Sequence, residues 1–350
     1  MLQIVTWNSV NVTEMHTRDG DTLHLQLEVS MNRKTAVTRL LAFAGFALVL
    51  FVIACNSIAP VEAQRWYPSR WGADDQRGAA NRMSPAKTLE AKNLIKEGVV
   101  YQLGRVYEAG MPMFGTRHYS LRIPQTFKIA GSNQATYHDE LVSAEIGQVG
   151  TQFDGLGHMG IGDLYYNGNK RTDFAQPEGL TKLGIENVGP IVTRGVLIDV
   201  ARLKGVPQLE SGYEITVADL QAALKAQTME IRPGDVVLIH TGWGSLWMKD
   251  NPKYIAGCPG IGVAAAQFLA DKEVTVVGSD NWGVEVGPNP DASLAAPVHQ
   301  LLIARNGIYL HENLITEELA RDRVYEFAYI FAPLRLKGAT GSPGNPIAIR

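Results

Sequence analysis

The side chains best suited to bind a metal ion or move a proton are concentrated in one short segment. This segment reads Gln148-Val-Gly-Thr-Gln152-Phe-Asp154-Gly-Leu-Gly-His158. Gln152 and Asp154 are two residues apart, so they point the same way if the segment is extended. The glycines allow a ligand or another backbone to approach closely. The pattern fits either a metal site with a proton-transfer residue, or a turn in which Asp154 caps a helix and His158 lies on the surface.

A second group of polar side chains lies nearer the end of the chain, in Pro297-Val-His299 and Tyr-Leu-His311-Glu312. A histidine on a helix and a glutamate ending the next strand converge if the strand lies beside that helix. His311 and Glu312 are adjacent on a strand and face opposite sides, so only one of them enters a given pocket. We assign Glu312 to the pocket. The alternatives are a histidine satisfied on a half-buried face and an exposed carboxylate at a strand end.

Alternating strands and helices must position these groups. Strands are predicted at 99–103, 195–199, 236–240, 274–277, 308–311 and 325–334. Helices are predicted to start after the N-cap residues Ser84 and Thr216, and at Pro297. A further helix is predicted across 264–270. Residues 104–146 show little periodicity and predict a long loop with short strands. The alternation predicts one mixed α/β domain.

The composition and charge of the chain give no indication of a nucleic-acid partner. The chain has 350 residues, of which 45% are hydrophobic, and a formal net charge of −3. We see no stripe of basic residues interleaved with aromatic ones, so no nucleic-acid partner is expected.

The N-terminal region predicts export. Basic residues precede an apolar run across 40–54, and the small-residue sequence Val61-Glu62-Ala63 follows. This order is typical of a signal peptide, here assigned to 31–63, with the mature domain at 65–350 and a periplasmic or secreted location. Residues 1–30 lack signal character, so Met31 is the expected start. A membrane anchor is the alternative, but the run is shorter than the roughly 20 residues needed to span a bilayer. Cys55 follows Val-Ile-Ala, which resembles a bacterial lipobox, so a lipid anchor at Cys55 stays open as an alternative to cleavage before residue 64.

The segment from Gln148 to His158 resembles the H-x-G-T-H-x-D-x-x-x-H signature of the cyclase family, which includes kynurenine formamidase and isatin hydrolase. The resemblance runs from Trp71 to the end of the chain. It includes WGADDQRGAANRMSP, RGVLIDVARLKG, PGDVVLIHTGW, GSDNWGVEVGP, HQLLIARNGIYLHENL and GATGSP. It implies a single mixed-sheet α/β fold, a β-rich barrel-like core with flanking helices, and a homodimer or homotetramer.

The resemblance also implies roles for individual residues. Asp154, His299 and Glu312 match metal ligands of the family, and His158 matches its proton-transfer histidine. Gln148 and Gln152 stand where the family has two histidine ligands. An amide oxygen is a harder and weaker donor than imidazole. The set therefore predicts one divalent ion, with manganese favoured over zinc, rather than a two-metal site.

The implied function is a metal-dependent hydrolase that opens an amide or cyclic amide C–N bond of a small molecule, with His158 as general acid and base. Two alternatives remain open. One is a metal-dependent cyclase or dehydratase acting on a hydroxy or polyketide-like substrate, and the other is a non-catalytic periplasmic binding protein. A serine hydrolase is poorly supported, because the chain has no G-x-S-x-G motif.

Overall fold

The structure is a computed structural model that describes residues 66–124, 127–128 and 131–350. The predicted signal segment 31–63, the lipidation position Cys55 and the expected start at Met31 lie outside the described residues. None of the helices in the described part of the chain is long and apolar enough to cross a bilayer.

A nine-stranded mixed sheet organises the domain and curves into a half-barrel with flanking helices, which confirms the predicted fold. In chain order its strands are β1 (Val100–Gln102), β2 (Gln152–Asp154), β3 (Ile191–Asp199), β4 (Val236–His240), β5 (Val276–Ser279), β6 (Tyr309–Glu312), β7 (Glu326–Phe331), β8 (Gly341–Pro343) and β9 (Ile347–Ile349). Their order across the sheet is β1-β9-β7-β3-β4-β5-β6-β2-β8.

The four central strands, β3 to β6, are parallel, and the flanking pairs are antiparallel. Parallel neighbours need crossover connections, and helices supply them here. The central strands are buried along their whole described length, except for one half-buried position in β3. This pattern explains why they read as nearly continuous apolar runs.

The helices lie around this sheet. They are α1 (Pro85–Leu94), α2 (Arg171–Phe174), α3 (Val200–Lys204), α4 (Val217–Gln227), α5 (Asn251–Ala256), α6 (Val263–Asp271), α7 (Pro297–His299), which continues as a π-helix over Gln300–Arg305, and α8 (Glu317–Asp322). Short 3₁₀ turns occupy Gly78–Arg82, Tyr166–Gly168, Ile185–Asn187 and Trp243–Leu246. Small two-stranded pairs join Tyr119–Arg122 to Leu141–Ala144, Phe127–Lys128 to Thr136–Tyr137, Leu164–Tyr165 to Asn169–Lys170, Ala175–Gln176 to Gly179–Leu180 and Glu214–Ile215 to Gly260–Ile261.

The predicted helix starts are confirmed by their caps. The Ser84 side chain accepts the backbone N–H of Lys87, and Thr216 and Asp219 form a reciprocal capping box. The first helix is largely exposed, since Leu89 is 57% exposed and only Ala91 is buried.

The end of the chain departs from the prediction. The expected strand at 325–334 is Glu326–Phe331, and two further strands, β8 and β9, follow it. Each of these has only three residues, and β8 contains glycine and proline, which are depleted in strands. Neither therefore produced a periodic signal. β8 nevertheless pairs with β2, so the C-terminal segment holds the strand that carries Gln152 and Asp154.

Candidate metal centre

The edge of the sheet brings the two polar groups together. β2 lies antiparallel to β6, with Gln152 opposite Glu312 and Asp154 opposite Leu310. His311 faces the other side of the sheet, where its Nδ1 contacts the Tyr329 hydroxyl at 2.6 Å. Glu312, rather than His311, lies on the side of the sheet that faces His299, and its role in a metal site stays a prediction.

Two histidines complete the cluster. His158 lies in the turn after β2, and His299 lies at the end of α7, where the helix continues as a π-helix. The Oδ2 atom of Asp154 is 3.9 Å from Nε2 of His158 and 3.7 Å from Nε2 of His299. All three atoms lie within 4.8 Å of one another. Oε1 of Glu312 is 3.2 Å from Nε2 of His299.

The unsatisfied state of Asp154 indicates what this cluster accommodates. Its side chain is fully buried, and Oδ2 has no hydrogen-bond partner. A buried carboxylate oxygen without a partner is costly, and a cation removes that cost. Metal–ligand bonds of about 2.0–2.2 Å place neighbouring ligand atoms roughly 3–3.5 Å apart. The distances in this cluster are slightly longer, so a divalent ion fits after a small inward movement of the ligands.

Glu285 fixes the orientation of His299. It accepts a short hydrogen bond from Nδ1 of His299, and it also accepts the backbone N–H groups of Val298 and His299 at 3.2 and 3.1 Å. The remaining nitrogen, Nε2, is thereby directed toward Asp154 and Glu312. Carboxylates that hold a metal-binding histidine in this way raise its basicity and set its tautomer. Sequence reasoning missed Glu285, whose only signal was its place in GSDNWGVEVGP.

Burial and charge shift the protonation of these groups. Burial, followed by the charge of Asp154, raises the pKa of Glu312 to about 7. Burial lowers the pKa of His158 below its usual range, against the opposing charge of Asp154. Burial also acts to lower the pKa of His299, but the hydrogen bonds that its ring donates to Glu285 and Glu312 outweigh it and leave this pKa well above its usual range. A bound cation would reverse these preferences by favouring the deprotonated ligands.

The two glutamines lie beside the carboxylates. Nε2 of Gln148 donates to Oδ1 of Asp154 at 3.2 Å, and Nε2 of Gln152 donates to Oε2 of Glu312 at 2.6 Å. Oε1 of Gln148 faces the guanidinium of Arg117 at 3.5 Å. In this arrangement the amides contact the proposed ligands through their nitrogens, and their role as metal ligands stays a prediction.

Comparison with known proteins identifies the family. The family model “Putative cyclase” matches residues 86–286, which is more than half of the chain. The chain belongs to the cyclase family. The matched region includes Asp154, His158 and Glu285, whereas His299 and Glu312 lie beyond it.

Solved structures match most of this cyclase-family chain. The structure of a novel cyclase is 33% identical, with a TM-score of 0.73, and the match covers 80% of this chain and 98% of that one. Isatin hydrolase A from Labrenzia aggregata, bound to benzyl benzoate, is 20% identical with a TM-score of 0.55, covering 74% and 94%. An isatin hydrolase bound to the product analogue thioisatinate is 20% identical with a TM-score of 0.53, covering 76% and 98%. The isatin hydrolases share the fold. No curated protein matches the chain significantly.

Proposed function

We propose that this cyclase-family protein is a metal-dependent hydrolase that opens an amide or cyclic amide C–N bond. The observation that carries the proposal is the buried, unpartnered Oδ2 of Asp154, which faces Nε2 of both His158 and His299. The names of two structural relatives support the bond type, because isatin is a cyclic amide.

Each residue of the centre has a distinct task in this proposal. Asp154, His299 and Glu312 would hold the ion, and Gln148 and Gln152 would lie against the two carboxylates. The ion, when bound, lowers the pKa of water and polarises the amide carbonyl as a Lewis acid. Glu285 keeps Nδ1 of His299 protonated, so that Nε2 is free to face the ion.

His158 is the proposed proton carrier. Its lowered pKa keeps the imidazole neutral near pH 7, which is the form that accepts a proton. The imidazole would accept a proton from the attacking water and return it to the leaving nitrogen. The His158 side chain retains 17% of its exposure, so the ring is reachable from the solvent side, whereas Asp154 is sealed.

The donor set guides the choice of ion. The two carboxylates of Asp154 and Glu312 beside the single imidazole of His299 form an oxygen-rich donor set, which favours manganese over zinc. We propose one such ion per subunit, with zinc as the alternative. Among the described residues, the cluster of three potential ligands is formed by Asp154, His158 and His299, so the proposed ion shares two of its ligands with this cluster.

Elemental analysis followed by a substrate screen tests the proposal. Protein purified without chelator should contain one divalent ion, mainly manganese, and should hydrolyse N-formyl aromatic amides or cyclic imides. Lactones test whether C–O bonds are opened instead. Mass spectrometry distinguishes hydrolysis, which adds one water, from dehydration, which removes one. Activity that persists after chelation, or a stoichiometric pair of zinc ions, would contradict the proposal.

Location and assembly are part of the same proposal. The basic, apolar and small-residue segments within 31–63 support export to the periplasm or beyond, with or without a lipid on Cys55. Resemblance to the cyclase family supports a homodimer or homotetramer, which light scattering on the purified mature protein would measure.

A further inference from the structure

A narrow cavity of about 10 Å³ lies beside Gln148 and Gln152, the two residues that contact Asp154 and Glu312. Arg117, Gln148 and Gln152 line one part of it, and Phe114, Ile255 and Trp282 line another. The rings of Phe114 and Trp282 are stacked, with centroids 4.9 Å apart and an interplanar angle of 17°. Phe114 is 50% exposed, so this aromatic pair reaches from the cavity to the surface. A substrate that approaches the centre on this side must displace or join the pair.

Arg117 is the basic residue in the wall of this cavity. Its Nη1 donates to the backbone oxygen of Gln148 at 3.0 Å, and its Nη2 donates to Oε1 of the same residue at 3.5 Å. The guanidinium carbon lies 5.9 Å from the centre of the Phe114 ring. The guanidinium therefore lines the cavity, and both of its hydrogen bonds are to neutral acceptors.

Arg117 differs from other partly buried arginines in having no acidic partner. Arg105 pairs with Glu317, and Arg194 pairs with Asp235 and Glu326. Within the described residues, no carboxylate lies within 4.0 Å of the Arg117 guanidinium. Buried and half-buried charges are normally paired, so a guanidinium left with weak neutral contacts is available to an incoming anion.

The positive charge of Arg117 also lies near enough to His158 and Glu312 to affect their protonation. Burial dominates the pKa shifts of His158 and Glu312, and the charge of Arg117 contributes a lowering to each pKa. A single amide side chain, that of Gln148, connects Arg117 to Asp154 through hydrogen bonds. A group bound by Arg117 would therefore lie within the length of a small substrate from the metal ligands.

We propose that Arg117 is a specificity-determining residue that binds a carboxylate of the substrate, so that the enzyme prefers amides bearing an anionic group. This inference rests on the proposed hydrolase function and adds the substrate class. A guanidinium binds a carboxylate through two parallel hydrogen bonds, which its long contact with Gln148 cannot match. Phe114 and Trp282 provide apolar walls for the part of the substrate between the anion and the scissile bond.

The test compares matched anionic and neutral ligands. The substrates are the anionic 4-formamidobenzoate and the neutral formanilide. The non-reacting ligands are the anionic benzoate and the neutral benzamide, and their binding to the metal-free protein is measured by tryptophan fluorescence. Arg117→Gln should lower kcat/KM for the anionic amide about 10- to 100-fold relative to the neutral one, the range of a hydrogen-bonded charge pair. Benzoate binding should weaken by a similar factor, and benzamide binding should not change. Arg117→Lys should recover part of the preference, since it restores charge without the fork.

Arg122→Gln is the matched control, because Arg122 is an exposed arginine in the same segment, outside the cavity. It should leave the anionic-to-neutral ratio unchanged. An equal fall for both substrates in Arg117→Gln would overturn the subsite and assign Arg117 to the chemistry or the fold. An unchanged ratio, or no preference of the original protein for benzoate, would also overturn it. Hydrolysis without anion preference would leave the proposed function standing. Benzoate selectivity without hydrolysis would support the subsite and contradict the proposed hydrolase function.

Discussion

Replacing Asp154 by asparagine should abolish tight metal binding while leaving the fold intact. Asparagine has nearly the same shape, and its carbonyl oxygen can keep the hydrogen bond from Gln148 that Oδ1 now accepts. The position of Oδ2 would then be taken by an amide nitrogen, which is not a metal ligand and carries no negative charge. The buried oxygen that faces His158 and His299 without a partner would be gone.

The size of the effect follows from binding linkage. At an ion concentration about 100 times Kd, binding stabilises the folded protein by about 2.7 kcal/mol. The entropy of unfolding of a unit spanning 66–350 is about 0.6 kcal/mol/K, from roughly 2.1 cal/mol/K per residue. The ion should therefore raise Tm by about 4–5 °C. Loss of a direct ligand should weaken binding at least about 100-fold, the upper end for an outer-shell partner. The gain at the same ion concentration then falls to about 0.4 kcal/mol, or under about 1 °C.

Thermal unfolding with and without manganese, together with elemental analysis, measures these quantities. Asp271→Asn is a matched control, because Asp271 is exposed at the end of α6 and should keep the full ion-dependent shift. Without metal, Asp154→Asn should be no less stable than the original protein, since an unpartnered buried carboxylate oxygen has been removed. If the variant kept its metal and its ion-dependent increase in Tm, or unfolded at a much lower temperature without metal, Asp154 would be a structural turn residue instead.

Further predictions concern the other groups of the centre and the N-terminal region. His158→Ala should lower turnover about 100- to 10,000-fold with metal content retained; a parallel loss of metal would make His158 a ligand, as its 3.9 Å distance from Oδ2 of Asp154 allows. Glu285→Gln should weaken metal binding about 10- to 100-fold in a chelator titration, and unchanged affinity would remove its positioning role. Metal affinity should rise with pH through neutrality and above it, because Glu312, with its pKa raised to about 7 chiefly by burial, and His299, whose pKa is well above its usual range, must each lose a proton to bind the ion; calorimetry in buffers of different ionisation enthalpy would detect the released protons, and a flat profile would contradict this. The exported protein should begin near residue 64 or at a lipidated Cys55, and mass spectrometry showing an intact N-terminus in the cytoplasm would exclude export.

The convergence of the proposed ligands could be predicted where each lies on an element with a clear pattern. The apolar run before Glu312 predicted its strand, and Pro297 predicted the helix of His299. Side-chain alternation was enough to choose Glu312 over His311. The partner strand was harder to foresee, because β2 has three residues within a glycine-rich segment. Its place beside β6 depends on pairing over more than 150 residues of sequence, which no local pattern encodes.

Two functional candidates could not be found from spacing alone. Glu285 lies in an irregular segment between β5 and α7, and its contact with His299 exists only because that segment folds back on the helix start. Arg117 lies in the weakly periodic region 104–146, which was predicted only as a loop with short strands. Arg117 is distinguished by the lack of an acidic partner among the described residues, and this depends on its three-dimensional surroundings. A sequence shows which charges are present, but not which of them remain unpaired.

In the proposed metal centre, Gln148 and Gln152 would give the site different electrostatics from the two histidine ligands that the resemblance to the family implies. A histidine ligand would bring a nitrogen donor to the ion, whereas Gln148 and Gln152 bring N–H groups to the carboxylates. Each amide satisfies one oxygen of Asp154 or Glu312 and leaves the other, Oδ2 or Oε1, on the side of His299. Amide donors to a carboxylate also reduce its basicity, because they stabilise its charged form. A centre built in this way depends on the charge of two carboxylates rather than on several imidazoles. Such a centre should suit a hard ion that exchanges more readily than zinc does.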